Sequence, residues 1–408
     1  MKEKRGFFAI LYDVIVIGGG PTGSYVAQKT AQAGYSVLVL ERREKMGGWV
    51  CCTGIISQNC INAFNIDSSL IQRNVNSARV YSPSGKQINL WRKENQAAII
   101  DRGQFDKYMA ERAQLAGAEY LFKKTVIDLT IESDHISVKT NSDDKRLEFK
   151  SRAAVIAVGF GSNLIKKLGL APPADFVIGA QIEVGSDHIS EIEVFTGNKV
   201  APGFFAWLVP TLPHRGIAGL LSRKSPKEHL EKLLSLLESM GKINYNEGEI
   251  TCRGITIKPL TKTYGQRFLV VGDAAGQVKP TTGGGIYFGL LSARIAARHL
   301  EKVLNEDNLS IKSMSSYQRE WKKDLGQELK ICYWGRKLFE RLGDRNIDRI
   351  FDVTTANAID RVLLEAEDIS FDWHGKAILK FAREEAITKS IKVINIPFKF
   401  VKRGRFDD

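Results

Sequence analysis

Cysteine is scarce in this chain: five in 408 residues, at positions 51, 52, 60, 252 and 332. They are too scattered for a disulfide framework, and none pair as C-x-x-C. That excludes a disulfide-stapled fold, a zinc ribbon and a cysteine-ligated iron–sulfur cluster. No apolar run reaches the roughly 18 residues that span a bilayer. The apolar stretch 7–11 behind the basic start is too short for a signal-peptide core, so a cytoplasmic protein is expected. The six histidines (135, 188, 214, 229, 299 and 374) show no metal-binding or catalytic spacing. No G-x-S-x-G, H-E-x-x-H or Walker loop occurs, which removes several hydrolase and kinase classes. Acid is scarcer than base: 59 Lys and Arg face 46 Asp and Glu, a net charge of +13. The excess favours anionic surfaces, anionic lipid or an acidic redox partner among them. No basic run is interleaved with aromatics, so nucleic acid is not an expected partner.

With 43% apolar residues over this length, the chain can build a large core, and two interleaved domains with a C-terminal appendage are expected. Residues 12–17 form a short β-branched run that reads as a buried parallel strand. It enters Gly18-Gly19-Gly20-Pro21-Thr22-Gly23, a G-x-G-x-x-G turn. A helical pattern covers 22–33 and stops at Gly34. A second apolar strand, 35–40, ends on Glu41. In this order each part has a task. Gly18 permits the tight turn, Gly20 lets a pyrophosphate approach the backbone, and Gly23 brings helix and strand together. Glu41 sits where a carboxylate can accept hydrogen bonds from an adenosine ribose. The unit reads as a dinucleotide-binding βαβ start.

Further on, residues 99–106 open a helix in which Phe105, Met109, Ala113 and Ala116 recur at helical spacing until Gly117. Strand material follows over 120–131. A hairpin is expected around the polar turn 141–145, and another buried strand over 151–158 ends at Gly159. From about 171 to 260 short strands dominate (177–184, 192–196, 204–209, 216–220), with a helix over 226–240. They suggest a mostly antiparallel sheet. The segment 267–300 is the second cofactor signal. A strand ends in Gly272-Asp273, and after a loop Gly283-Gly284-Gly285 opens a long helix. Asp273 is placed to bond a sugar-alcohol hydroxyl, and the glycines leave backbone N–H groups free for negative charge. Read from its residues alone, that Asp could instead cap the helix.

These blocks resemble the FAD-dependent monooxygenase-type flavoproteins, and within them the geranylgeranyl reductases. The resemblance is carried by the G-x-G-x-x-G…Glu start, by Arg102/Phe105/Asp106, and by G-D-A-A-G…P-x-x-G-G-G-I. It implies an α/β fold: a Rossmann-like FAD-binding domain of the para-hydroxybenzoate-hydroxylase type, an inserted mostly antiparallel substrate domain, and a C-terminal mostly helical region. The expected boundaries are 1–80, 99–170 and 262–305 for the first, 81–98 and 171–261 for the second, and 306–408 for the third. By the same resemblance Gly18, Gly20, Gly23, Glu41 and Arg42 would hold the ADP half of FAD. Gly48, Arg102, Gly159 and Gly272 would border the cofactor, and Val126 would meet the adenine. Asp273 would hold the ribitol, and Gly283, Gly284, Gly285 and Ile286 would lie against the isoalloxazine.

Two blocks point to the reductases. Cys51-Cys52-Thr53-Gly54 is similar to their C-x-x-G loop beside the flavin. Residues 202–210 are similar to their P-x-x-Y-x-W-x-F-P block, with Phe205 in place of the Tyr and Val209 in place of the Phe. The resemblance then implies an enzyme that saturates isolated C=C bonds of geranylgeranyl chains in lipid precursors, by hydride transfer from reduced flavin and a proton. Cys51 is the catalytic candidate, although a free Cys is often just a small buried hydrophobe. Cys52, Phe205, Trp207 and Pro210 are the substrate candidates. An apolar lining of Phe195, Phe204, Phe205, Trp207 and Leu208 is expected, with Phe204 reading better as sheet core. Where hydroxylases carry Asp-Gly, this chain has Val158-Gly159. That weakens the reading of an aromatic hydroxylase or halogenase and leaves NAD(P)H or a ferredoxin-like protein as donor. A flavoprotein electron-transfer dehydrogenase is a further alternative, disfavoured by the cysteine count. The basic and apolar stretch 387–405 could dock an anionic membrane peripherally.

Overall fold

The computed structural model describes residues 10–48, 50–142, 145–186, 189–356 and 371–383. The stretch 387–405 and His188 lie outside the described residues. The chain begins with β1 (Leu11–Ile17), α1 (Pro21–Gln32), β2 (Val37–Leu40), β3 (Ile55–Ser57) and α2 (Gln58–Phe64). Then come β4 (Ile71–Val75), β5 (Ser77–Tyr81), β6 (Gln87–Trp91), β7 (Ala97–Ile100), α3 (Arg102–Leu115) and β8 (Glu119–Leu121). Strands β9 (Thr125–Ile131), β10 (Ile136–Ser142) and β11 (Lys145–Ile156) follow, then α4 (Leu164–Lys167). The middle of the chain is β12 (Phe176–Gly185), β13 (Ile192–Thr196), β14 (Phe205–Pro210), β15 (Arg215–Ser222), α5 (Pro226–Ser239) and β16 (Tyr245–Thr256). It ends with β17 (Tyr264–Gly265), β18 (Phe268–Val270), α6 (Ile286–Asn305), α7 (Ile311–Trp321), α8 (Gln327–Phe339), α9 (Asp344–Ala356) and α10 (Gly375–Arg383).

An eight-stranded sheet orders as β17-β18-β11-β1-β2-β8, with β10 and β9 hung from β11 as a hairpin. The run β18-β11-β1-β2-β8 is parallel. Its strands are almost unbroken apolar runs because both faces are covered. Val14, Val16, Val37 and Val39 face the cluster that holds α1, α3 and α6. Ile15, Ile17, Leu38 and Leu40 face the hairpin and α4. The second strand of the expected hairpin and the strand expected at 151–158 prove to be one strand, β11. β11 pairs antiparallel with β10 along its first part and parallel with β1 along its second.

A seven-stranded sheet orders as β16-β12-β15-β14-β13-β5-β6 and is antiparallel except at β13–β5. β5 already belongs to it, so this sheet starts ahead of the boundary expected at 81. One face packs on α5 through Leu230, Leu233, Leu234 and Leu237, each worth about 2 kcal/mol of burial. The other face is turned toward the parallel sheet. A small sheet β3-β7-β4 joins the two. Among the described residues after 306 the regular elements are helices. α7 and α8 are joined by a π-helical turn over Lys322–Gly326.

Candidate active site

The parallel strands β1, β2, β11 and β18 point their carboxyl ends at one crevice, where open α/β sheets bind ligands. The glycine turn after β1 is built for close contact. A Cβ on Gly23 would overlap the carbonyl oxygen of Gly18, and at Gly18, φ is +103°. A Cβ on Gly20, by contrast, would meet no protein atom within 4 Å. Gly20 is the N-cap of α1 and offers no side-chain cap, so the first-turn N–H groups face open space. An uncapped helix start with room before it fits a pyrophosphate.

Glu41, at the end of β2, is 4% exposed. Its Oε2 accepts from the Gly19 N–H at 2.7 Å, and its Oε1 accepts from the Arg43 N–H at 2.9 Å and from Arg43 Nε at 3.1 Å. Burial pushes this carboxyl up, but the Arg43 charge and the N–H donors outweigh it and hold it below 4.5. The stabilisation is therefore complete above pH 4.5 and fades as pH falls through the lower folded value. In Glu41→Gln, folding stability at neutral pH is expected to drop by about 2 kcal/mol. Denaturant melts at decreasing pH should show that gap closing below pH 4.5.

Arg43, which sequence reasoning passed over, links Glu41 to Asp106 at 3.2 Å, and Asp106 pairs with Arg102 at 2.7 Å. Arg102 also sits 5.5 Å from the Phe105 ring. One ionic chain thus runs from Glu41 through Arg43 and Asp106 to Arg102. Cys51 Sγ lies 3.7 Å from the Thr251 carbonyl oxygen, and Cys52 Sγ accepts from the Gly54 N–H at 3.4 Å. Burial pushes the Cys51 thiol up, so it keeps its proton at neutral pH.

On the far side Gly285 caps α6 without a side-chain bond, and a Cβ there would lie 2.6 Å from Asp273 Oδ1. The loop from 272 to 285 thereby puts a carboxyl and a second uncapped helix start beside each other. Both ends open into a single cavity of about 1130 Å³. Gly18, Gly20, Glu41, Arg42, Cys51, Cys52, Arg102, Val126, Gly159, Asp273 and Gly283 to Ile286 all line it. Gly23, Gly48 and Gly272 do not; Gly23 and Gly272 lie where close packing leaves little room for a side chain.

The rest of the cavity is apolar and lies on the free face of the seven-stranded sheet. Strand parity decides the lining. Phe205, Trp207 and Val209 of β14, with Ile192 and Val194 of β13, face the cavity. Two residues of the expected lining are corrected, and Phe204 is core, the reading preferred for it. Phe195 and Leu208 fall on the opposite face in the cluster under α5, and Phe195 stacks on Tyr81 at 4.8 Å. Phe204 precedes the strand, is 1% exposed, and lies 4.6 Å from the Arg336 guanidinium. Pro210 is buried at the strand end and does not line the cavity either. The opposite wall was missed by sequence reasoning: Phe339 at the end of α8 and Ile350, Phe351 and Thr354 of α9. Ile347, Phe351 and Thr354 recur at helical spacing, which marked an apolar stripe but not what it faces.

Fold and site define the class, an FAD-dependent oxidoreductase. Residues 13–163 match the FAD dependent oxidoreductase family. The chain is 30% identical over 353 residues to the digeranylgeranylglycerophospholipid reductase of Methanocaldococcus jannaschii, covering 83% of this chain and 90% of that protein. It is 32% identical over 352 residues to digeranylgeranylglycerophospholipid reductase 2 of Methanothermobacter thermautotrophicus, with the same coverage of 83% and 90%. A geranylgeranyl bacteriochlorophyll reductase-like protein of Thermoplasma acidophilum shares the fold, with a TM-score of 0.83 at 24% identity over 94% of this chain and 98% of that one. The chain belongs to the digeranylgeranylglycerophospholipid reductase family.

Proposed function

We propose that this enzyme saturates isolated C=C bonds in the geranylgeranyl chains of a lipid. The observation that carries this reading is the continuity of one cavity. Its glycine-lined end, suited to a dinucleotide, runs on into an apolar branch between the sheet face and α9. An isolated double bond has no carbonyl to polarise, so reduction needs a hydride, a proton and a dry, oriented site. Bound, reduced FAD supplies the hydride.

The chain's own residues supply the rest. Gly18, Gly20 and Gly23 shape the phosphate turn, and Glu41 and Arg42 take the ribose end. Val126 and Gly159 would border the cofactor, with Arg102 of the same cavity held by Asp106. Asp273 would serve the ribitol, and Gly283 to Ile286 would back the ring. Trp207, Phe205 and Val194 grip the tail and exclude water. Cys51, half-buried and protonated, and Cys52 beside it lie where the two parts of the cavity meet. Cys51→Ala is expected to keep its flavin and lose about tenfold in turnover, as general acids typically contribute that or more. Unchanged turnover would reduce Cys51 to a shaping residue.

The electron donor in this reading is NAD(P)H or a ferredoxin-like protein, the basic charge favouring an acidic one. The lipid is taken from a membrane surface. Among the described residues no helix is long and apolar enough to cross a membrane. The test is to feed dithionite-reduced protein a geranylgeranyl lipid and weigh the product. A gain of about two mass units per bond is expected. Unchanged lipid, with oxygen-dependent hydroxylation of aromatics instead, would overturn the reading.

A further inference from the structure

The chain returns to the cavity after α9. Residues 371–374 run beside the loop before α6 and bring a buried carboxyl within electrostatic reach of a buried ammonium. Asp372 is 3% exposed, and its Oδ2 has no hydrogen-bond partner. Lys279 is 4% exposed; its Nζ donates to the Phe371 carbonyl oxygen at 2.7 Å and lies 4.9 Å from the Phe371 ring. Both line the same cavity as Gly283, Gly284, Gly285 and Ile286. A carboxylate oxygen buried without a partner is costly, so a buried one facing a ligand cavity asks for a role.

The neighbouring groups are each held in one charge state. Burial keeps the Cys60 thiol of α2 and the Tyr287 phenol of α6 protonated, and the Asp372 charge adds to this. Arg294 opposes it at Tyr287 without reversing it. Burial likewise keeps the Cys332 thiol of α8 protonated, helped by Glu328. Burial, with the Lys279 charge, drives His374 down to about 3, so its ring is neutral. That ring is fixed by Thr281 Oγ1 at 2.9 Å and the Phe371 carbonyl oxygen at 2.9 Å. Glu328 is occupied by the His374 and Gly375 N–H groups at 2.6 and 2.9 Å. Asp372 and Lys279 are the two groups left to change charge: burial pushes the Lys279 ammonium down, and the Asp372 charge opposes this. Burial pushes Asp372 up, while Lys279 and a Ser57 hydrogen bond pull it back.

We propose that Asp372 takes up a proton from solvent as an electron pair and one proton enter the bound flavin, and that Lys279 keeps this carboxyl ionised until then. Negative charge arriving in a buried site disfavours a second anion beside it. Protonated Asp372 leaves the Lys279 charge and the start of α6 free to balance the reduced ring. The electrons come from a two-electron reductant, dithionite in the test. The inference rests on the flavin ring lying against residues 283–286, not on which substrate is reduced.

The test is the pH dependence of the flavin midpoint potential in the FAD-loaded protein, from about pH 6 to 8. Absorbance of the reduced ring reports whether the ring itself holds the second proton. The native protein is expected to take up two protons per electron pair while the reduced ring stays anionic. In Asp372→Asn one of the two is lost. In Lys279→Met one is also lost, because burial alone then keeps Asp372 protonated throughout. One proton per pair in the native protein would overturn the proposal without any variant. So would two protons with a neutral reduced ring, or two persisting in either variant. A merely structural anchor for residues 371–374 would lower stability in both variants and leave the proton count unchanged. Failure of lipid reduction would leave this measurement intact, so the two readings fail separately.

Discussion

Gly20→Ala is expected to leave the apoprotein folded and to weaken FAD binding about a hundredfold, roughly 2.7 kcal/mol. The added methyl would meet no protein atom within 4 Å, and φ at Gly20 is −67°, ordinary for alanine. Only the space before α1 is taken, and that space fits a pyrophosphate. Gly23→Ala is the contrasting case. Its methyl would overlap the Gly18 carbonyl oxygen, a backbone atom that cannot swing away. Overpacking of that kind costs about 1–3 kcal/mol, so the apoprotein itself should melt earlier. Thermal melts without cofactor and FAD titration separate the two effects. A Gly20→Ala protein that binds FAD normally would show that the cofactor does not approach this backbone.

Val194→Trp is expected to abolish most lipid turnover while flavin content and dithionite reduction stay normal. Val194 pairs with Trp207 on one side and Val80 on the other, and all three side chains line the apolar branch. An indole there fills the passage between the sheet face and Phe351 of α9. Turnover of a geranylgeranyl lipid should fall by about a hundredfold or more, roughly 2.7 kcal/mol at the transition state. A short prenyl alcohol that does not reach the branch should lose less. Equal loss with both substrates would place the tail elsewhere.

The βαβ start was legible because each feature is local. A buried parallel strand needs an unbroken apolar run, a glycine turn needs absent side chains, and an acid must end the second strand. The segment from Gly272 to Ile286 was legible for the same reason. Of the aromatic block, strand alternation correctly required that one residue of each neighbouring pair face the cavity. It could not say which face was free, because that depends on where α5 packs. Hence Phe195 and Leu208, expected beside Trp207, turned out to lie under α5.

Arg43 was passed over beside Glu41 because its value comes from Asp106, a residue of α3. The wall formed by α9 and the charged pair of Lys279 and Asp372 were hidden more deeply. Their residues are ordinary in sequence and become a site only when segments far apart in the chain are brought together. By itself, then, the sequence determined the glycine turn after β1, the loop from Gly272 to Ile286 and the class of chemistry, since these reside in short stretches whose backbone geometry demands particular residues. Tertiary structure alone decided the depth, far wall and charge of the cavity, because burial and electrostatic pairing belong to neighbours in space, and neighbours in space are set by packing.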